Sequence, residues 1–273
     1  MGYKLIAIDM DGTLLNKEKK VTDKTKEAIK RAQALGIYIV ITTGRIYSDI
    51  PFYKDYIGIE APVIASNGAL IMDGDKTIYK QNISKETNSF LIAISKKFNL
   101  KFMLHTHDTL YCYGIRLTLF WKVILRLTGN KNIKIQRLKS YVEVNNLIVN
   151  KEKEIIKFEI ISLNKNKLEL FKEEVIRNKD IEVASSSENN IEVTNKGVSK
   201  GNALKFLSDY LKIKKEEIIA IGDSENDISM IRYAGFGVAM GNAIEKVKSE
   251  AKYITRTNEE DGVATAIEEL VSD

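Results

Sequence analysis

The sequence predicts an α/β protein with a parallel-sheet core and an inserted α+β domain. Three observations carry that prediction. Short apolar runs alternate with stretches of helical periodicity at both ends of the chain, as expected where strands are buried on both faces. Several of these runs end in acidic or hydroxyl-bearing clusters. The pattern also changes near Ser84 and resumes near Ile191, which predicts a core of residues 1–82 and 191–273 around an insert of residues 83–190.

In chain order, Leu5 to Ile8 is the first buried strand, and it breaks into Asp9-Met10-Asp11-Gly12. A polar loop from Asn16 to Lys20 leads to Thr22 or Asp23 as helix N-cap, and Ala28, Ile29, Ala32 and Leu35 supply the apolar stripe before Gly36 stops the helix. Ile37 to Ile41 is the second strand, ending in Thr42-Thr43-Gly44-Arg45. A helix over Ile46 to Tyr56 precedes a third strand, Pro62 to Ala65, which leaves into Ser66-Asn67-Gly68. Two short runs around Asp73-Gly74-Asp75-Lys76 form a hairpin.

Within the insert, Phe90, Leu91, Ile94 and Phe98 mark a helix, Lys101 to Thr106 a strand, and Gly114 to Thr128 an aromatic-rich helix. Ile155 to Ser162 reads as a strand, Leu168 to Ile176 as a helix and Ile181 to Ala184 as a strand, while Asn130 to Lys134, Asn145 to Lys153 and Asn164 to Lys167 read as surface loops. The core then resumes with strand Ile191 to Thr194 and a helix opened by Lys196 to Gly201. Strand Ile218 to Ile221 ends in Gly222-Asp223-Ser224-Glu225-Asn226-Asp227, and further helices and a strand run to Val271.

Composition narrows the functional classes. The chain has 273 residues, 44% hydrophobic and 29% charged, an ordinary globular balance. Its formal charge of +5 suits a small anionic substrate and equally a solvated lysine-rich surface. No basic stripe with interleaved aromatics argues for nucleic acid, no apolar stretch approaches the ~20 residues that span a bilayer, and no obligate protein partner is implied. One cysteine, Cys112, and an N-terminus without a leader pattern lead to the expectation of a cytoplasmic protein.

The chemistry gathers where strands end. Asp9 and Asp11, two residues apart, raise one another's pKa and repel, an arrangement that a divalent cation relieves. A phosphate monoester dianion repels an attacking carboxylate, so a site for it must neutralise charge first. Asp9 and Asp223 are suitable ligands for Mg²⁺. Lys200 adds fixed positive charge, Thr43 a hydroxyl and Gly44 a backbone N–H. Asp9 can then take the phosphoryl group covalently, with Asp11 moving the leaving-group proton.

These residues resemble the haloacid dehalogenase superfamily of phosphohydrolases, in its Cof-type group with a type IIB cap. The resemblance rests on Asp9-Met10-Asp11-Gly12-Thr13-Leu14-Leu15, Thr43-Gly44-Arg45, Gly197-Val198-Ser199-Lys200-Gly201 and Gly222 to Asp227, with Ser66-Asn67-Gly68-Ala69 and Gly241-Asn242-Ala243 also typical. It covers both core halves, and the insert falls where the cap belongs. The resemblance implies a Rossmann-like core, Asp9 as nucleophile and Asp11 as acid/base. It implies Mg²⁺ on Asp9, Asp223 and a backbone carbonyl of Met10 or Asp11, with Asp11 itself and Asp227 as further members of the metal site, Asp227 alternatively supporting Lys200. Phosphate would contact Met10, Thr43, Gly44, Lys200 and Asn226. The implied activity is hydrolysis of a small phosphorylated metabolite, a sugar phosphate being favoured. Transfer to a second hydroxyl, as in a mutase, and non-catalytic metabolite binding stay open.

Other residues invite readings that the pattern does not sustain. His105 and His107 are accompanied only by Asp108, too little for zinc, and a place facing the substrate is the better alternative. Gly235, Gly237 and Gly241 lack dinucleotide spacing. Phe120 and Trp121 are expected in the insert's core.

Overall fold

The computed structural model describes residues 2–128, 132–149, 154–185 and 188–271. In chain order its elements are β1 (Leu5–Asp9), α1 (Asp23–Ala34), β2 (Tyr38–Thr42), α2 (Ile50–Ile57), β3 (Val63–Ala65), β4 (Leu70–Asp73), β5 (Lys76–Lys80), α3 (Lys85–Lys97), β6 (Phe102–His105), β7 (Thr109–Tyr113), α4 (Ile115–Thr128) and β8 (Lys134–Leu138). They continue with α5 (Tyr141–Val149), β9 (Lys157–Ile161), α6 (Lys165–Val175), β10 (Ile181–Ala184), β11 (Asn190–Asn195), α7 (Lys200–Tyr210), β12 (Ile218–Gly222), α8 (Ile228–Tyr233), β13 (Phe236–Ala239), α9 (Glu245–Lys248), β14 (Tyr253–Ile254) and α10 (Gly262–Leu270).

These elements divide between two compact units. Unit 1 comprises residues 1–44, 53–78 and 199–273, and unit 2 comprises 45–52 and 79–198. An eight-stranded sheet runs in the order β14-β13-β12-β1-β2-β3-β4-β5. Its pairs from β14 to β3 are parallel, and β4 lies antiparallel to β3. β1 is buried at every residue, which is why it reads as a continuous apolar run rather than an alternating one. Successive crossovers go one way from β1 to β2 and β3, and the other way from β12 to β13 and β14. The β1/β12 boundary is therefore the switch point of the sheet, where open α/β sheets hold their ligands. Side-chain caps start the helices that the sequence marks: Thr22 accepts from the Thr25 N–H and Ser199 from the Asn202 N–H, at 3.2 and 3.1 Å.

Unit 2 holds a second, six-stranded sheet in the order β10-β11-β9-β6-β7-β8. Its pairs are antiparallel except β7 with β8, which α4 connects as a parallel crossover. One face carries Phe102, Leu104, Phe158, Ile160, Ile191 and Val193, all in one apolar cluster with side chains of α3, α5 and α6. Ring stacking of Phe102 on Phe158, with centroids 4.9 Å apart, joins two of these strands. On the alternate residues lie Met103 and Cys112, packed with Ile46 and Leu110, and a buried polar set. In that set the Lys157 ammonium lies 3.1 Å from Glu192 and 3.7 Å from Glu159. Asn190 donates to both carboxylates, at 3.2 and 3.3 Å. His105 Nε2 lies 2.9 Å from Glu159 without the alignment of a hydrogen bond.

The structure departs from the sequence-based expectation in several places. Residues 191–194 belong to β11 and pair with β9 and β10 in unit 2 rather than with the core, because their alternating Ile191, Glu192, Val193 pattern needs a sheet with two unlike faces. The segment after Gly44 begins as a 3₁₀ turn over Tyr47–Asp49 and only then becomes α2. Strand β7 follows the turn at His107 and is absent from the expectation. Asn145 to Val149 are helical in α5, and residues 150–153 lie outside the described residues. Asn164 caps α6 rather than standing in a loop, and of the segment from Asn130 to Lys134, residues 130 and 131 lie outside the described residues. Phe120 is 54% exposed, while Trp121 packs on the Met103 cluster.

Candidate active site

The tips of three neighbouring strands build the site. Register pairs Asp9 with Thr42 and Ile8 with Ile221, so the residues that follow β1, β2 and β12 emerge at one edge of the sheet. Behind Asp9 the chain folds back on itself, with Leu14 N–H donating to the Asp9 carbonyl and Leu15 N–H to that of Met10, at 3.1 and 2.9 Å. Met10 is wholly buried, which leaves only its backbone for a ligand. Gly12 has φ +85°, and a Cβ there would stand 2.4 Å from the Asp223 carboxylate. Glycine thus serves both the left-handed turn and the close approach of the two loops.

Lys200, the first residue of α7, is fully buried and donates to Asp9 Oδ1 and, at 2.6 Å, to Asp227 Oδ1. The other Asp227 oxygen accepts from the Asp223 and Ser224 N–H groups at 3.0 and 2.9 Å. Asp227 therefore fixes Lys200 and the β12 loop together. Asp223 itself accepts from the hydroxyls of Thr13 and Ser224 at 2.7 and 3.1 Å. Asn226 donates to Asn67 Oδ1 at 3.1 Å, and Asn67 is held over the site by a left-handed turn in which Gly68 takes φ +99° against the Ser199 carbonyl. Thr43 is buried at the tip of β2, its N–H donating to Ile64 and its carbonyl accepting from Asn67, at 2.9 and 3.0 Å. Gly44 is the last residue of its unit 1 segment. Asp11 is different: it lies half-exposed on the turn, with Lys19 Nζ 2.8 Å from its Oδ1.

Electrostatically the site is one-sided. Carboxylate oxygens of Asp9, Asp223 and Asp227 lie within 4.8 Å of one another, and Asp11 is outside this group. Burial, reinforced by Asp227, holds the Asp9 carboxyl well above its ordinary range despite Lys200. Burial and Asp227 likewise push Asp223 up to about 6. Burial works against the charge on Lys200, but Asp227 and Asp9 raise its pKa above that of a free lysine. Three carboxylates against one ammonium leave two negative charges in excess. Asn226 Oδ1 is in addition buried with no hydrogen-bond partner among the described residues. An all-oxygen donor set with this excess fits a hard divalent cation.

Sequence reasoning named Asp9, Lys200, Asp223, Asp227, Asn226 and Thr43, and the structure brings them to one sheet edge. It gave no role to the residues that shape the turn. Asn242 donates to the Gly12 carbonyl at 2.8 Å, and Asn258 donates to the Leu15 carbonyl at 2.9 Å. The Asn242 signal was present in Gly241-Asn242-Ala243; Asn258 lies in an unremarkable polar stretch and offered none.

A sheet whose switch point carries aspartates, a lysine and a hydroxyl is the arrangement of the haloacid dehalogenase-like hydrolases, whose family description matches residues 6–267. The chain belongs to that family. It is 34% identical, over 98% of its length and 100% of the relative's, to Phosphatase YwpJ of Bacillus subtilis. It is also 34% identical to the 5-amino-6-(5-phospho-D-ribitylamino)uracil phosphatase YwtE of the same organism, with 98% of each chain covered. Among solved structures, a haloacid dehalogenase-like hydrolase from B. subtilis superposes with a TM-score of 0.88 at 33% identity, covering 98% of this chain and 100% of that one. A subclass IIB sugar phosphatase superposes with a TM-score of 0.82 at 29% identity, covering 97% and 98%. The fold is thus that of the haloacid dehalogenase family, and the enzyme is a phosphatase of that type. No helix among the described residues is long and apolar enough to cross a membrane.

Proposed function

We propose that the chain is a Mg²⁺-dependent phosphatase that hydrolyses small phosphorylated metabolites, sugar phosphates foremost, through an aspartyl-phosphate on Asp9. The observation that carries this reading is the buried trio of carboxylates around a single ammonium at the switch point. Asp9, Asp223 and a backbone carbonyl of Met10 or Asp11 would hold the cation, with Asp227 behind them as the residue that orients Lys200. Bound there, Mg²⁺ supplies charge neutralisation for a dianionic phosphoryl group.

The chain's own residues account for the steps. Lys200 holds Asp9 Oδ1, which orients the second carboxylate oxygen for attack on phosphorus. The Asp9 O–P bond forms as the bond from phosphorus to the ester oxygen breaks, and protonated Asp11 gives its proton to that leaving oxygen. A water then attacks the phosphorus of the aspartyl-phosphate while Asp11, now ionised, takes its proton. Inorganic phosphate leaves, and Asp9 is restored as carboxylate with Asp11 protonated. Thr43, Gly44, Lys200 and Asn226 would hold the phosphoryl oxygens throughout. Unit 2 is read as the specificity cap, and the cytoplasm as the compartment, consistent with a single cysteine whose thiol burial pushes up to about 12.

Phosphate release from a panel of phosphorylated metabolites with Mg²⁺ tests the reading. Asp9→Asn should lose at least ~10⁴-fold in turnover, and Asp11→Asn about 10²- to 10⁴-fold. Wild-type turnover in the Asp9 variant would overturn the mechanism. Transfer between sugars without free phosphate would identify a mutase, and ligand-induced stabilisation with neither reaction would identify a binding protein.

A further inference from the structure

A groove of about 690 Å³ lies in unit 1 between the second half of α7, the turn that follows it and the end of α8. Its lining includes Lys205, Lys212, Lys214, Lys215 and Arg232, against two carboxylates, Asp209 and Glu216. Five cations face Asp209 and Glu216 in the lining and Glu250 beside it, which leaves a net +2 on this one feature, in a chain whose formal total is +5. The cations are unequally committed. Arg232 makes a two-pronged contact with Glu250, and Lys215 lies 3.9 Å from Glu216. Lys205, Lys212 and Lys214 have no carboxylate at ion-pairing distance among the described residues.

The groove is distinct from the catalytic edge of the sheet. Lys214 to Glu216 lie in the turn before β12, whose far end leads to Asp223. Lys205 and Asp209 sit beyond the first turn of α7, which starts at Lys200. Arg232 and Tyr233 end α8, which starts just after Asp227. Each of the three elements thus carries a candidate catalytic residue at one end and the groove at the other.

Helix ends do not absorb this charge. The groove receives the C-termini of α7 and α8, each equivalent to roughly half a negative charge, about one in total. At the end of α7 the Leu207, Ser208 and Asp209 carbonyls accept from the Leu211, Ile213 and Lys212 N–H groups at 2.9, 2.8 and 3.2 Å, and at the end of α8 the Met230 carbonyl accepts from the Ala234 N–H at 3.0 Å. Positive charge remains along this open groove.

We propose that this groove is a second binding site, for a compact oligophosphate: a chain of two or three phosphates, free or carried on a nucleoside. Lysine ammonium groups are point charges on flexible stems, so they match charge spread along a chain better than they cradle one phosphate in fixed geometry. The single aromatic lining residue, Tyr233, whose hydroxyl is paired with Ser208 at 2.9 Å, disfavours a nucleic-acid strand, which binds with successive bases on stacking platforms.

The proposal is independent of the catalytic reading and is tested apart from it. Inorganic triphosphate is titrated calorimetrically into the intact protein and into the triple variant Lys205→Glu, Lys212→Glu, Lys214→Glu. The expected result is saturable binding to the wild type that weakens as KCl rises, because exposed charges are screened, and at least tenfold weaker binding to the triple variant. Phosphatase turnover is expected to be unchanged, since none of the three lysines belongs to the catalytic machinery. The corresponding triple arginine variant should bind within about threefold of wild type, which separates charge from a general loss of structure. Equal affinity in the triple glutamate variant would place the anion elsewhere and overturn the site. So would absence of triphosphate binding, or preferential binding of a single-stranded oligonucleotide. If ATP binds as triphosphate does, the phosphate chain is the recognised group; if ATP binds more tightly, the nucleoside is recognised as well.

Discussion

Lys200 in unit 1 and Lys157 in unit 2 are both almost inaccessible ammonium groups flanked by carboxylates, yet their surroundings push acids in opposite directions. Around Lys200 the carboxylates outnumber the ammonium three to one, and burial with Asp227 drives Asp223 up to about 6. Around Lys157 there are two carboxylates and an amide that donates to both. There, burial alone would raise Glu159, but Lys157 and His105 overcome it and bring the carboxyl down to about 2. Burying charge is expensive in either place. The second set spreads its carboxylates over an ammonium and an amide within the protein, whereas the first is left needing positive charge from outside. The size of the imbalance, two negative charges in excess around Lys200 against one around Lys157, rather than burial itself, distinguishes the reacting site from the structural ion pair.

The largest expected effect comes from removing each ammonium in turn. Lys157→Met and Lys200→Met should each destabilise by about 3–5 kcal/mol, because each leaves buried carboxylates unpaired. Urea unfolding checks this, followed by far-ultraviolet circular dichroism for the whole chain and by Trp121, the only tryptophan, for unit 2. The two should then part: millimolar Mg²⁺ should recover stability in the Lys200 variant and do nothing for the Lys157 variant. Equal recovery, or none in both, would erase the distinction drawn between the clusters.

Somewhat smaller is the effect of Mg²⁺ on the unaltered protein. At a hundred times its Kd the cation should add about 2.7 kcal/mol, seen as a rise in Tm with concentration, and Asp223→Asn should abolish most of that rise. The smallest effect concerns acid. Glu159, with its pKa depressed, contributes stability above its unfolded value near 4.5, lost as pH falls towards about 2. His105 has its pKa lowered by burial and then by Lys157, so acidification below about 6.5 also acts against folding. The Trp121 transition should therefore lose on the order of 2 kcal/mol between pH 6.5 and 3, and Glu159→Gln should flatten that limb. An unchanged acid limb in the variant would mean that Glu159 is not the group being titrated.

How much of this could be read from the chain alone follows from the range of each signal. The strands around Asp9, Thr43 and Asp223 were legible because full burial writes an uninterrupted apolar run and a strand tip interrupts it with polar residues. Convergence of those tips was legible only through resemblance, since nothing local says that β12 lies beside β1. The Lys157 set was not legible at all. Lys157, Glu159, Glu192 and His105 are charged or polar residues at alternating positions, which in sequence is the signature of a solvated strand face. Only pairing of β6, β9 and β11 puts them side by side and inaccessible. The same pairing decided β11, whose Ile191 and Val193 belong with Phe158 and Ile160 across the strand. Gly12 was visible as a turn residue, but the reason that no side chain fits there is an oxygen more than two hundred residues away.

The position of β1 has a consequence for how the protein comes into being. Its neighbour on one side, β2, follows within about thirty residues, but its neighbour on the other side begins at Ile218. At synthesis rates of ~5–20 residues per second, β1 exists for roughly 10–40 s with one edge unpaired, carrying an aspartate that still lacks its lysine. The strands of the six-stranded sheet all lie before residue 196 and are complete sooner. The nascent chain thus finishes the Lys157 cluster first, and Asp9 meets Lys200 and Asp223 only when the last third of the chain arrives to close the sheet.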